Sequence, residues 1–304
     1  MFFGRKFVKL RKTITGIALS VATVTMTGFA PLPAFAQDEK AFDPNRYRID
    51  ITGRQRMLSQ RIAKSICFIE LGHNVDAYHD YLDSDYHLFD DTLHILRDGG
   101  GEYNLEPEKD RRTLVKLESV FAHWEPFAAE IETILETDHI SYETEEHVRE
   151  ENLIMLNDMN ELVSLIEQEY ANAHTLDMQN AMTLNIFARQ RMLSQMIAKD
   201  FCYVVSGHHV EEEKAILEES HVLFQNSLDA IRNGMPAMGI DPPPNEEIKV
   251  QLDLVAHIWE DLDAIYTRTI EGETPTEEEI EFVSSESMHL LEEMNKAVQM
   301  YINK

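Results

Sequence analysis

The feature that most constrains the fold is an internal repeat at an offset of 135 residues. The run Arg54–Lys64 recurs at residues 189–199 with ten of eleven positions identical, and only Arg61 is replaced, by Met196. The same register, without gaps, aligns further pairs over more than a hundred residues: Cys67 with Cys202, Gly72 with Gly207, Trp124 with Trp259 and Asn160 with Asn295. The chain therefore contains two copies of one unit, and we place them at residues 37–170 and 171–304.

Hydrophobic periodicity and helix punctuation predict four helices in each copy. Glycine and proline are scarce, at 12 and 10 of 304 residues, which suits long helices better than strands and turns. In the first copy, the predicted helices are Asn45 to Leu71, Val75 to Arg97, Pro107 to about Thr137, and a last helix from near Thr144. Short loops make consecutive helices antiparallel neighbours. The predicted fold is all-α, with two tandem up-down-up-down four-helix bundles.

The connection between the copies decides how the bundles are arranged. Residues 165–187 contain neither glycine nor proline, so helix four of copy one can continue into helix one of copy two. An unbroken shared helix stacks the bundles end to end as a rod, whereas a bend near residues 171–175 folds them side by side. We predict the rod.

The N-terminus has the pattern of a secretory signal peptide. Basic residues between Arg5 and Lys12 precede an uncharged apolar stretch, Ile14–Phe29, and small residues at 34 and 36 predict cleavage after Ala36. The alternative is an uncleaved membrane anchor, but the stretch is shorter than the ~20 residues that span a bilayer comfortably. We therefore expect a periplasmic or secreted protein.

Charge and motif content exclude several functions. Cleavage after residue 36 removes five basic residues and leaves 22 against 55 acidic ones, a net charge of −33. Such a surface repels nucleic acid, which we exclude as a partner. The sequence has no phosphate-binding glycine loop, no His-Glu-x-x-His motif and no nucleophile elbow, so we predict that the protein is not an enzyme.

Two adjoining stripes run along predicted helix one. One stripe is apolar and should face the bundle core, and the other is small-sided apart from one arginine, which lets a second helix approach closely. The small-sided stripe consists of Thr52, Arg56, Ser59, Ala63 and Cys67 in copy one, and of Phe187, Arg191, Ser194, Ala198 and Cys202 in copy two. An arginine in such a contact is partly buried and needs an acceptor. The acceptor is either a carboxylate of a neighbouring helix or a bound anion, since a guanidinium donates two parallel hydrogen bonds to an oxyanion.

The run from Gly53 to Arg61 resembles the first-helix signature of the PilJ/NarX-like sensor family. These are the extracytoplasmic N-terminal domains of type IV pilus chemotaxis transducers and of nitrate/nitrite sensor kinases. The resemblance implies a four-helix bundle that dimerises through helix one, with a small anion held between two such helices by one arginine from each. That arginine matches Arg56 and, in copy two, Arg191. Copy two departs from the pattern because it has Met196 in place of the second arginine and Ala188 in place of the glycine.

This resemblance implies a sensory or binding protein for a nitrate-like anion, nitrite or a small carboxylate. The candidate ligand-binding residues are Arg56, Arg191, Arg54, Arg189, Arg61, Ser59 and Ser194. A homodimer through helix one is expected. Family receptors also carry a second transmembrane helix and a cytoplasmic output domain, so a chain ending at Lys304 is expected to act through a separate membrane receptor or kinase. The alternative is a ligand-free interaction or dimerisation module.

The cysteines and histidines offer two further hypotheses. Cys67 and Cys202 form a disulfide across a pair of first helices, within the chain or between chains, or they pack as small buried residues, and we favour packing. A rod excludes the bond within the chain because a disulfide requires Cα atoms within ~7 Å, whereas a symmetric dimer would pair each cysteine with its own copy. His79, Asp83 and His87 share one helical face with chelating spacing, but copy two does not repeat them. We predict no metal site and no cofactor.

Overall fold

The computed structural model describes residues 43–137, 139–170 and 178–302, and these form long α-helices joined by short turns. The helices are α1 (Pro44–Leu71), α2 (Val75–Asp98), α3 (Arg111–Thr137), α4 (Tyr142–Tyr170), α5 (Met178–Ser206), α6 (Val210–Asn233), α7 (Glu246–Ile270) and α8 (Glu277–Ile302), with a short 3₁₀ turn at Pro236–Met238. Among the described helices, none has the length and apolar character needed to cross a membrane. The predicted signal peptide lies outside the described residues.

Helix ends follow local capping. Asp43 accepts hydrogen bonds from the backbone N–H groups of Asn45 and Arg46, which begins α1, and Gly72 ends it in the left-handed conformation at φ 80°. The predicted start of α3 at Pro107 is four residues early. Asp110 Oδ1 accepts hydrogen bonds from the first N–H groups of α3, so the helix begins after this residue.

The two predicted bundles are confirmed. Helices α1 to α4 form one and α5 to α8 form the other, and in each the last helix closes against the first. The repeated tryptophans anchor the two cores. Trp124 packs against Phe89 and Trp259 against Phe224, both with ring centroids 4.3 Å apart. Because the tryptophans occupy equivalent places, the repeat in sequence is also a repeat in structure.

The predicted end-to-end rod is wrong. Helices α1 and α5 pack side by side, and a disulfide joins Cys67 to Cys202 with Cα atoms 6.2 Å apart. The expectation that both cysteines pack as small unbonded residues is therefore also wrong. The small-sided stripes explain the arrangement, because buried Ala63 and Ala198 let the two helices approach closely. The connection between α4 and α5, residues 171–177, lies outside the described residues.

The surface expected to form a homodimer is already covered within one chain. The stripe of α1 that includes Cys67 faces α5, the helix-one equivalent of the second copy. The single chain thus builds internally the pair of first helices that was expected from two chains. We call the contact between α1 and α5 the seam.

Candidate ligand site at the seam

Arg56 of α1 and Arg191 of α5 both lie at the seam, near enough for the charge of Arg191 to lower the pKa of Arg56. Each arginine lies eleven positions before the cysteine of its own helix, so the disulfide places them at the same level. Arg56 is 7% exposed and Arg191 is 4% exposed. Two guanidinium groups from equivalent positions are therefore buried in one contact.

Charges of both signs surround Arg56. Burial lowers the pKa of the Arg56 guanidinium to about 10; the carboxylate of Glu167 opposes this change, and the positive charges of Arg189 and Arg191 add to it. Burial likewise lowers the pKa of Arg191, where Asp50 opposes the change and Arg54 adds to it. The positive charge of Arg191 thus disfavours the charged form of Arg56, and an anion placed between the two guanidinium groups would oppose that effect.

The two guanidinium groups retain unused donors. The Nε atoms of Arg56 and Arg191 are buried, and neither has a hydrogen-bond partner in the described part of the chain. Arg191 has one carboxylate nearby, since its Nη2 lies 3.6 Å from Oδ1 of Asp50. Within the same described ranges, no carboxylate lies within 4 Å of Arg56 in an ion pair. A buried donor without an acceptor costs roughly 1–3 kcal/mol, so the arrangement suits an acceptor from outside the chain.

The other residues predicted to bind the ligand are less available to it. Arg54 pairs with Oδ2 of Asp50 at 3.0 Å within its own helix, and Arg189 is exposed. The hydroxyl of Ser59 donates to the backbone oxygen of Arg56 at 2.9 Å, and that of Ser194 makes the equivalent bond at 2.8 Å. Both serines therefore use their donors inside their own helices.

Arg61 points away from the other arginines. Its guanidinium makes an ion pair with the carboxylate of Asp85 on α2, which is fully buried. Copy two has Met196 and Ser220 at the corresponding positions, so the cation and the carboxylate are lost together. The substitution at this position of the repeat is explained by this pair, and we leave Arg61 out of the candidate site.

Sequence reasoning missed two buried lysines in the repeated motif. Lys64 Nζ donates to Oε1 of Gln195 at 2.6 Å and to Oγ of Ser287 at 3.2 Å, while Lys199 Nζ donates to Oδ1 of Asn152 at 3.0 Å. Each lysine thus reaches from its own bundle into the other. The available signal was that the lysine occurs at the same position in both copies. These hydrogen bonds cross the contact between the two bundles.

Beyond the C-terminal end of α1, the turn between α5 and α6 contacts the start of α4. His208 Nε2 lies 3.1 Å from Oε2 of Glu145, and His209 Nε2 lies 2.8 Å from Oε2 of Glu146. Burial raises the pKa of Glu145 to about 7, and the charges of Glu70 and Glu146 contribute. By contrast, the hydrogen bond from Arg149 lowers the pKa of Glu146.

The raised pKa of Glu145 gives a pH dependence of stability. Between its ordinary pKa of 4.5 and about 7, the folded protein binds more protons than the unfolded chain, so this stabilisation is complete below 4.5 and lost as pH rises through 7. The unsubstituted protein should lose unfolding free energy as the pH rises from 5 to 8, and Glu145→Gln should not lose this part. We therefore expect the unfolding free energy of Glu145→Gln, relative to that of the unsubstituted protein, to be about 1–3 kcal/mol higher at pH 8 than at pH 5. Urea denaturation at both pH values, with a chelator present, measures this difference. Glu146→Gln is the matched control and should keep the pH slope of the unsubstituted protein over this range, because the lowered pKa of Glu146 leaves it ionised in both the folded and the unfolded state above pH 5. A Glu145→Gln slope equal to that of the unsubstituted protein would contradict the prediction.

Comparison with known families identifies both bundles. The sequence profile of the PilJ family, described as the N-terminal domain of type IV pili methyl-accepting chemotaxis transducers, matches residues 47–146 and 178–278. The first segment contains Arg56 and the second contains Arg191. No curated protein matches the chain.

Proposed function

Because the chain belongs to the family of type IV pili methyl-accepting chemotaxis transducer N-terminal domains, a family of sensory modules, we propose that it senses or binds a small anion outside the cytoplasm. The anion would lie in the seam between Arg56 and Arg191. The observation that carries this proposal is the pair of buried guanidinium groups at equivalent positions, each with an Nε that no described group accepts from.

The chemistry of the pair favours a small planar oxyanion. A guanidinium donates two parallel hydrogen bonds to neighbouring oxygens, and two guanidinium groups can hold one anion from both sides. Nitrate, nitrite and small carboxylates fit this description. Since one chain supplies both arginines, the proposed stoichiometry is one anion per chain and needs no second copy.

Signalling would use the relative position of α1 and α5. The disulfide fixes the two helices about 16 Å along the helix axis from the arginines, as eleven residues at 1.5 Å each require. A bound anion replaces repulsion between the arginines with attraction, so occupancy changes the separation of the helices at this level. We propose that a separate membrane protein reads this change.

A panel of anions tests the proposal. The mature protein, in a buffer of large weakly binding ions, is heated with nitrate, nitrite, formate or acetate. A ligand at a hundred times its Kd stabilises by ~2.7 kcal/mol, which raises Tm by several degrees. We expect one member of the panel to do so, and calorimetry to give one anion per chain. Arg56→Ala and Arg191→Ala should each abolish the effect.

Arg54→Ala is the matched control, because Arg54 belongs to the same motif but pairs with Asp50 on its own helix. It should keep most of the anion response. If no anion stabilises the protein, or if Arg54→Ala and Arg56→Ala lose the response equally, the seam arginines do not form the site.

The second candidate function is a ligand-free interaction module. The proximity of Asp50 to Arg191, and the charge of Glu167 near Arg56, favour it, because these carboxylates partly neutralise the arginines within the chain. Under this function the arginines are structural, no anion changes Tm, and both alanine variants are less stable in every buffer.

A further inference from the structure

Three segments that are distant in sequence meet where α4 begins. Glu70 lies near the end of α1, Glu145 lies in the first turn of α4, and His208 lies in the turn between α5 and α6. One ligand atom from each side chain lies within 4.8 Å of the other two. Two of the three residues come from the first bundle and the third from the second, so the cluster spans the two bundles.

The carboxylate of Glu145 faces this cluster and lacks hydrogen bonds. Its side chain is 4% exposed. Both of its oxygens are buried and accept no hydrogen bond from any described group. The nearest cationic candidate in those ranges is the imidazole of His208, whose Nε2 lies 3.1 Å from Oε2. A buried carboxylate without hydrogen bonds is costly unless a cation compensates it.

We propose that Glu70, Glu145 and His208 bind one divalent transition-metal cation of the Zn²⁺ class. An imidazole nitrogen and two carboxylate oxygens are Zn²⁺ ligands at about 2.0–2.2 Å, and a water molecule completes a tetrahedron. Ligand atoms of such a tetrahedron lie ~3.4 Å apart. Glu145 and His208 already have this spacing, and the exposed Glu70 near a helix end can close the remaining distance.

The imidazole decides the class of cation. Mg²⁺ and Ca²⁺ prefer shells made entirely of oxygen, whereas Zn²⁺ and its neighbours in the first transition row accept nitrogen. Asp and Glu residues are abundant in this protein, but a buried carboxylate beside a histidine is not a general acidic surface. The site should therefore select Zn²⁺ over millimolar Mg²⁺ or Ca²⁺.

The site is specific to one half of the repeat. At the offset of 135 residues, the positions equivalent to Glu70 and Glu145 are Val205 and Ile280, which cannot bind a metal ion. The equivalent of His208 is His73, whose Nδ1 lies 2.9 Å from Oε2 of the half-exposed Glu281. Among the described residues, Glu70, Glu145 and His208 are the one such group of three potential ligands within 4.8 Å of one another, so we expect one cation per chain.

The cation would join the two bundles far from the arginine pair. Glu70 follows Arg56 by fourteen residues, which is ~21 Å along α1. At that distance the two charges interact weakly through solvent at physiological ionic strength. Loss of metal binding and loss of anion binding are therefore separate outcomes.

Titration of the mature protein, without an affinity tag and stripped of metal by chelation, tests the site. Zn²⁺ is the probe, and calorimetry is run with and without 1 mM Mg²⁺ or Ca²⁺. We expect one Zn²⁺ per chain and an increase in Tm. Glu70→Gln, Glu145→Gln and His208→Ala should each lower the Zn²⁺ affinity at least about tenfold.

Two controls keep the test decisive. His73→Ala removes the repeat-related histidine and should bind Zn²⁺ as the unsubstituted protein does. Glu70→Gln changes an exposed side chain, so far-ultraviolet circular dichroism should show an unchanged helix content. The proposal is overturned if no saturable binding near one equivalent is seen, if His73→Ala loses as much affinity as His208→Ala, or if Ca²⁺ or Mg²⁺ displaces Zn²⁺.

Discussion

Replacing both cysteines with alanine should lower the free energy of unfolding by about 5 kcal/mol, because the disulfide closes a loop of 135 residues in the unfolded chain. Proteins are usually stable by only ~5–15 kcal/mol, so this is a large fraction of the total. The variant should still fold at low temperature, since residues such as Ala63 and Ala198 remain buried between the two helices of the seam.

Urea denaturation followed by circular dichroism measures this loss, with the disulfide state checked by thiol alkylation in denaturant. The matched control is the unsubstituted protein refolded in the reduced state, which retains both sulfur atoms but lacks the bond. The reduced protein should lose a similar amount of unfolding free energy. If both proteins stay within about 1 kcal/mol of the oxidised form, the disulfide does not hold the bundles together.

The disulfide also shows where sequence reasoning reached its limit. Helix periodicity and the repeat were sufficient for the eight helices and the two bundles, because each copy carries its own apolar stripe. They could not decide between a rod and a side-by-side pair, since both bury the same stripes inside each bundle. The choice between the two arrangements depends on what covers the small-sided stripe around Cys67. The sequence of the connection does not help, because the absence of glycine and proline is compatible with both arrangements.

The small-sided stripe was interpreted correctly as a contact between two first helices, but assigned to two chains. An α5 that repeats α1 presents the same surface as a second copy, so composition and periodicity cannot distinguish the two sources. The burial of Arg56 and Arg191 followed from the stripe, whereas the anion between them stays a proposal.

Sequence reasoning missed two polar features, for different reasons. Lys64 and Lys199 look like solvent-facing residues on a helical wheel, and only the packed second bundle buries them. The cluster of Glu70, Glu145 and His208 depends on three segments that meet only when the bundles lie side by side. No local spacing in the sequence connects them.

The two buried lysines should respond very differently to the same substitution. Lys199 Nζ lies 3.1 Å from Oδ1 of Asp200, whose side chain is fully buried. Burial raises the pKa of Asp200, and the charge of Lys199 opposes that change. Lys199→Met would leave a buried carboxylate without its cation, and we expect a loss of about 3–5 kcal/mol in unfolding free energy near pH 7.

Lys64→Met is the matched control, at the equivalent position of the first copy. Burial lowers the pKa of Lys64, and the neighbouring carboxylate of Asp85 already has Arg61 as its partner. Methionine there leaves no carboxylate unpaired, removes a desolvated charge, and gives up hydrogen bonds to Gln195 and Ser287. These effects oppose one another, so we expect a change within about 1 kcal/mol of zero.

Urea denaturation of both variants at pH 7 and pH 4.5 separates the charge from lost packing. Without Lys199, the pKa of Asp200 rises further, so the folded variant takes up a proton at low pH and regains stability relative to the unsubstituted protein. Lost packing would be the same at both pH values. Equal losses for the two lysine variants, or a Lys199→Met loss independent of pH, would show that the pair of Lys199 and Asp200 carries no special weight. A large, pH-dependent loss for Lys199→Met beside a small change for Lys64→Met would show that each copy compensates its buried carboxylate with a different cation. That cation is Arg61 in the first copy and Lys199 in the second.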